Sequence, residues 1–265
     1  RTKLNYKFVK AMVILNITPD SFSQKSRITT VSELERRILS LQPLAPHYID
    51  VGAVSTAPKC ALVTQEVEVN RYQSILFPVV EKMLPALKTT SILSIDTFRP
   101  AVFKLVYDFC QRVSDNTKLI WNDVSGKIDT EGVEVLKACP HADYVFCHNT
   151  AKDRESSAQH LDTLLVGNPS EAARELMVYF KDGEIKLSRH GLLERSYFDP
   201  TFGFSKSYEQ NWELARSLPW LLKKFSPERK WIIGISQKMF LRNSVQGELK
   251  LEENNTEVAF NYADY

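Results

Sequence analysis

The sequence predicts an α/β domain, a (β/α)8 TIM barrel, and three observations carry that prediction. Seven short, apolar, unalternating runs recur a few tens of residues apart, as strands covered on both faces do. A segment of helical period lies between each run and the next. Each run also stops at a polar residue, which is how a parallel fold presents chemistry at the carboxyl edge of its sheet.

Taken in order, residues 4 to 10 alternate enough for a lead-in strand or hairpin arm. Met12–Leu15 is the first apolar run; it enters Asn16 and then a loop through Thr18, Pro19, Asp20 and Ser21. Val31 to Leu41 carries Leu34, Ile38 and Leu41 at helical spacing, with Ser32 as the expected cap. The run Tyr48–Val51 precedes a long helical stretch, Gln65 to Leu84. Ile92–Ile95 is followed by Pro100 to Val113, which opens on proline where a helix tolerates it best. Leu119–Trp121 pairs with Glu131 to Ala138, and Tyr144–Cys147 with Ser170 to Phe180. Tyr197–Phe198 leads to Tyr208 to Phe225, interrupted by Pro219, and Trp231–Ile235 is the last run. Asn254 to Tyr265 reads as a helix.

A barrel needs eight strands, and the eighth is not found in the chain. The chain starts at Arg1 rather than methionine, so the sequence reads as part of a longer product. A doubly wound open sheet is the alternative, because periodicity does not report closure. No linker, low-complexity stretch or charge block divides residues 1–265, which are expected to form a single domain.

Composition narrows the function classes. With 265 residues, 43% of them apolar, the chain can bury a large core. A charged fraction of 25% and a net charge of +2 argue against a dedicated nucleic-acid or membrane-surface binder. No run of eighteen apolar residues occurs, and the opening RTKLNYKFVK is too polar for a signal peptide. The four cysteines, Cys60, Cys110, Cys139 and Cys147, form no C-x-x-C pair and no disulfide framework, so a cytoplasmic setting is expected. Nine glycines make neither G-x-G-x-x-G nor G-x-x-x-x-G-K, which excludes the glycine-rich nucleotide loops.

The strand ends bring Asn16, Asp50, Asp96, Asn122 with Asp123, His148, Asp199 and Ser236 to one rim, with Lys238 just beyond. Carboxylates and carboxamides in that mixture suit a flat heterocycle with an amidine-like edge, which a carboxylate grips as it grips arginine. Asp96 follows three apolar residues and a serine, so its carboxylate is expected to be buried and functional. Asp50 and Asp123 suit supporting or loop-capping roles, Ser94 and Ser125 structural ones, and Phe204 either core packing or a site. His148 with Cys147, His141 and Cys139 invites a zinc reading. Successive strand residues face opposite ways, however, and the spacing matches no common zinc site. Arg189 and His190 read as a surface turn.

The stretches LNITPDSFS, IDVGAVSTAP, SIDTF, NDVSG, the strand ending in CHN, DPTFGFSK and GISQK resemble dihydropteroate synthase in order and spacing, from about residue 11 to about residue 260. The resemblance implies a (β/α)8 barrel that condenses 6-hydroxymethyl-7,8-dihydropterin pyrophosphate with p-aminobenzoate and releases pyrophosphate. It implies Asn16 as a ligand of Mg2+ on the pyrophosphate, and Asp96, Asn122 and Asp199 as the pterin-reading set. Lys238 would lie over the ring and, with Asp96, carry catalysis. Phe204 and Ser236 would contact p-aminobenzoate, and Thr56 would lie near the pyrophosphate. His148 matches a family histidine. A homodimer through the late helices and fusion to a preceding pterin pyrophosphokinase also follow from the resemblance.

The chain departs from the family pattern at four places. Gln24, Lys25 and Ser26 replace the usual Asp-Gly-Gly, and Ala57 replaces the arginine of Ser-Thr-Arg-Pro-Gly, with Lys59 after Pro58. Gln237 stands between Ser236 and Lys238, where arginine is usual, and the Arg-x-His of an eighth strand lies beyond Tyr265. The pterin side is therefore complete, while the pyrophosphate and p-aminobenzoate side is altered. Lys25 or Lys59 could supply the missing charge without arginine's planar fork. The alternatives to a divergent synthase are a non-catalytic pterin-binding homologue or scaffold and a pterin-dependent methyltransferase on a related barrel.

Overall fold

The computed structural model describes residues 10–18, 28–55, 62–87, 90–158 and 168–235. Seven strands form one parallel sheet: β1 (Met12–Asn16), β2 (Tyr48–Gly52), β3 (Ile92–Asp96), β4 (Leu119–Asp123), β5 (Ala142–Cys147), β6 (Ser196–Asp199) and β7 (Lys230–Trp231). Their order in the sheet is their order in the chain. A doubly wound sheet reverses order at its switch point, so the unbroken sequence of neighbours is that of a TIM barrel. Among the described residues no eighth strand joins β7 to β1, and Ile14 on β1 remains 60% exposed.

Strand residues alternate between two cores. Tyr48, Ile120, Val145 and Cys147 pack together with Met12, Ile92, Tyr197 and Ile232 on the inner side of the curled sheet. Their neighbours Ile49, Val51, Ile95, Trp121, Tyr144, Phe146 and Phe198 belong to the large core under the helices. Both faces being apolar explains the unalternating runs in the sequence.

Between the strands lie α1 (Val31–Leu41), α2 (Gln65–Arg71), α3 (Phe77–Leu87), α4 (Pro100–Val113), α5 (Thr130–Ala138), α6 (Arg154–Ser157), α7 (Ala172–Arg189) and α8 (Tyr208–Leu222). The cap of α1 is Thr30 rather than Ser32. The Thr30 hydroxyl accepts from Glu33 N, and the Glu33 carboxylate accepts from Thr30 N, a capping box two residues earlier than expected. Helices α2 and α3 are joined through one π turn, Tyr72–Leu76. The buried stripe Glu68, Tyr72, Leu76, Val80 and Leu84 repeats every four residues. On a 3.6-residue helix such a stripe winds by about 40° per step, and the wider turn keeps it on the sheet.

Two boundaries differ most from the sequence reading. Helix α7 runs on to Arg189, so Arg189 is its last residue and His190 its cap, with Gly191 at φ 70° completing the turn. Gly183, inside the added length, is where the helix meets the sheet: a Cβ there would lie 2.1 Å from Phe146 Cε1. Strand β7 is two residues, not five, and only Ile232 N, donating to Phe198 O at 2.9 Å, continues its pairing. The short helix α6 has no counterpart in the sequence reading. The expected arm at residues 4 to 10, all but its last residue, and the helix at Asn254 to Tyr265 lie outside the described residues.

Candidate active site

The sheet register aligns the polar strand ends. Asn16 is opposite Gly52, Gly52 opposite Asp96, and Asp96 opposite Asn122, a single row at the carboxyl edge. Gly52 is the gap that lets this row close. A Cβ on it would lie 3.1 Å from Asp96 Oδ2 and 3.4 Å from Asn16 Oδ1, so the two side chains converge over a bare backbone. Asn16, Asp96, Asn122 and Asp199 are all part-exposed at this edge, so Asp96 is not buried as the apolar run before it suggested: it is the last residue of its strand and lies at the open rim.

Beneath the row, Asp50 is buried on the inner side of β2. Its Oδ1 accepts from Ser94 Oγ at 2.5 Å and its Oδ2 from Asn122 Nδ2 at 3.1 Å. Burial raises its pKa above the ordinary carboxylate value, and the two donors offset part of that rise. Asp96 is tied down from behind by Tyr72, whose fully buried hydroxyl lies 2.9 Å from Asp96 O and 3.1 Å from Val51 O.

Asp199 ends β6, opposite Cys147. Burial pushes the Cys147 thiol well up, and the charges of Asp199, Asp123 and Asp96 push it the same way, so this thiol lies in the field of the carboxylates at the rim. After Asp199 the chain makes a loop with Thr201, Gly203 and Ser205 at φ 54°, 81° and 52°. Left-handed backbone at a threonine and a serine is strained and needs support. Asp199 Oδ1 accepts from Thr201 N at 2.6 Å, and Asn211 Oδ1 from Gly203 N at 2.8 Å. Lys206, buried, donates to Thr201 O at 3.1 Å, Phe204 O at 2.9 Å and His148 Nδ1 at 3.1 Å. His148 is thereby an acceptor, and burial with the Lys206 charge holds its pKa well below the ordinary value. Its ring packs 4.7 Å from Tyr179, on the helix side, whereas Cys147 belongs to the inner cluster. Phe204 is half-buried against Val54, Phe98 and Val124 at the rim.

Asp123 serves the scaffold. It is fully buried and accepts from Arg154 Nη1 at 2.8 Å, Tyr144 Oη at 3.0 Å and Ser125 N at 3.0 Å. Arg154 also reaches Asp129 and stacks over Trp121, fixing the loop after β4. Arg99 does the same for the loop after β3, bridging buried Glu68 at 2.6 Å and Glu155 at 3.2 Å.

The row therefore unites Asn16, Asp96 and Asn122, with Asp199 on the same rim. Thr56, Ser236 and Lys238 lie outside the described residues, as do Gln24, Lys25, Ala57, Lys59 and Gln237. Among the described residues no group of three His, Cys, Asp or Glu side chains converges on a metal position. Sequence reasoning missed Gly52, Tyr72, Arg99, Arg154 and Lys206. Only Lys206, at the end of a turn-rich run, left a readable signal.

The sequence matches the family described as pterin binding enzyme over residues 12–263. It is 26% identical over 240 residues to the mitochondrial folate synthesis bifunctional protein of Arabidopsis thaliana, covering 87% of this chain and 40% of that one. It is 28% identical over 234 residues to the dihydropteroate synthase of Synechocystis, covering 87% of this chain and 72% of that one. The chain thus spans well under two thirds of the bifunctional relative. Among solved structures, the dihydropteroate synthase of Anaplasma phagocytophilum with bound 6-hydroxymethylpterin-monophosphate shares the fold at a TM-score of 0.70 and 24% identity, over 89% of this chain and 82% of that one. A row of carboxylates and carboxamides at the edge of a sequentially ordered parallel sheet, inside a match that spans nearly the whole sequence, leads to one assignment: the chain belongs to the pterin binding enzyme family.

Proposed function

We propose that the protein condenses 6-hydroxymethyl-7,8-dihydropterin pyrophosphate with p-aminobenzoate, giving 7,8-dihydropteroate and pyrophosphate, as a dihydropteroate synthase. The convergence of Asn16 and Asp96 over Gly52, beside Asn122, carries the reading. The names of the relatives support it. In this reading Asp96, Asn122 and Asp199 hold the N–H edge of the pterin, and the anionic rim stabilises positive charge that develops in the ring as pyrophosphate leaves. Phe204 and the loop held by Lys206 form a wall for the aniline, whose nitrogen is already nucleophilic and needs positioning rather than a strong base. Lys238, Ser236 and Thr56 complete the set on the grounds of resemblance.

Asn16 offers a hard oxygen of the kind Mg2+ accepts, and Mg2+ takes few protein ligands when a substrate phosphate supplies others. Bound there, the ion would neutralise the leaving group. The exposed Val178 and Ile185 on α7 and Trp220 on α8 fit a homodimer through these helices. The bifunctional folate synthesis relative supports fusion to a second folate enzyme, for which the resemblance implies a pterin pyrophosphokinase. Among the described residues no helix is long and apolar enough to cross a membrane. The free, buried Cys110, Cys139 and Cys147 suit a reducing, cytoplasmic setting.

The test is turnover: the protein with Mg2+, the pterin pyrophosphate and p-aminobenzoate, followed by product and pyrophosphate release. Turnover abolished by Asp96→Asn is the expected result. Pterin binding without any turnover would replace this reading with a non-catalytic pterin-binding protein.

A further inference from the structure

Asp50 is an expensive residue to keep where it is. It is 2% exposed inside the barrel, and among the described residues it forms no ion pair. Its two oxygens meet two neutral donors, Ser94 Oγ and Asn122 Nδ2. An unpaired carboxylate in such a place costs free energy that a leucine or an asparagine would not. What it provides is direction. The two donors offset the burial that would otherwise keep its proton on, and an ionised carboxylate only accepts, whereas a carboxamide can present either end to a neighbour. With Asp50 below it, Asn122 is obliged to turn its nitrogen down, and its Oδ1 then points away from Asp50. Ser94, directly opposite Asp50 in the register, occupies the other carboxylate oxygen and stops Asp50 from rotating.

We propose that Asp50 is a positioning residue that fixes the hydrogen-bonding sense of Asn122. The pocket floor thereby becomes a wall of acceptors, Asn122 Oδ1 with the carboxylates of Asp96 and Asp199, selecting a heterocycle edge built of N–H donors. The inference deepens the pterin reading and rests on it. It names what that site rejects: flat isosteres that bring a lone pair or a bare carbon where the ligand has an amino group. A purely structural Asp50, stitching β2 to β3 and β4, would weaken every ligand alike. A positioning Asp50 changes the ratio between ligands.

The experiment is a fluorescence titration of the full chain with 6-hydroxymethylpterin and with its analogue lacking the 2-amino group, in the unaltered protein and in Asp50→Asn. An asparagine at this position donates as readily as it accepts, so it no longer dictates which way Asn122 turns. The unaltered protein is expected to prefer the parent pterin strongly, and Asp50→Asn to shrink that preference about tenfold, the scale of one hydrogen bond to a charged or desolvated group. Equal loss of both ligands would overturn the inference while leaving the pterin site intact. Binding of neither ligand to the unaltered protein would overturn both. If Asp50→Asn does not fold, the Asn122 carboxamide in 15N-labelled unaltered protein decides, its signal assigned by disappearance in Asn122→Asp. Slowly exchanging, well-separated amide protons are expected, and a rapidly exchanging, averaged pair would overturn the inference.

Discussion

Gly52 matters for the side chain it lacks. Gly52→Ala would place a Cβ 3.1 Å from Asp96 Oδ2 and displace the carboxylate rather than the backbone. Pterin affinity is expected to fall about tenfold or more, since small misplacements of a binding group are costly, while the melting temperature changes little. A titration beside a thermal melt checks both halves. Arg154→Met should act in the opposite sense, on stability. It strands the fully buried Asp123 without its cation, and urea unfolding is expected to show a loss of about 3–5 kcal/mol. His148 supplies the pH dependence. Its folded pKa is depressed, so the unfolded chain binds the proton more readily. Its contribution is fully present above the unfolded value, about 6.5, and is lost as pH falls below it. The raised pKa values of Asp50 and Asp123 act the other way, so the comparison is between proteins. Urea unfolding at pH 7.5 and 5.5 should show a smaller acid loss in His148→Gln than in the unaltered chain.

Among the elements, the helix from Gln65 to Leu87 shows how sheet and site are coupled. Its π turn puts the Tyr72 hydroxyl against two strand-end carbonyls, one of them that of Asp96. Tyr72→Phe is expected to cost about 1–3 kcal/mol in denaturant unfolding, because both carbonyls remain buried. The strands were legible because their runs are short and apolar and most end at or beside a polar residue, and Asn16, Asp96, Asn122 and Asp199, which the sheet gathers at one rim, were readable from those ends. What was not legible depended on tertiary contact. The helix α7 passes through Gly183 because Phe146 fills the space a Cβ would take, a contact the local sequence does not show. Ser32 is as good a cap by composition as Thr30, and only the Glu33 carboxylate decides between them. Strand β7 has a pairing partner on one side only among the described residues, so its apolar run overstates its length. Arg154 and Arg99 gave no signal, since a charged residue near a loop is ordinarily solvated, and only the buried Asp123 and Glu68 reveal their roles.

At the scale of the whole molecule, seven parallel strands in chain order gather polar residues from widely separated segments onto one rim. The same topology separates duties. Asp123, Arg154 and Arg99 fix the loops, Asp50 and Tyr72 lie beneath the rim, and Asn16, Asp96, Asn122 and Asp199 stand part-exposed along it. In the proposed function this rim is a pterin site built around Asp96. Calorimetric titration of the pterin pyrophosphate into the unaltered protein and into Asp96→Asn, with Mg2+ present, tests it most directly. Saturable one-site binding is expected, weakened about a hundredfold by Asp96→Asn, the scale for losing a charge-assisted hydrogen bond. Binding of equal strength in both proteins would contradict it.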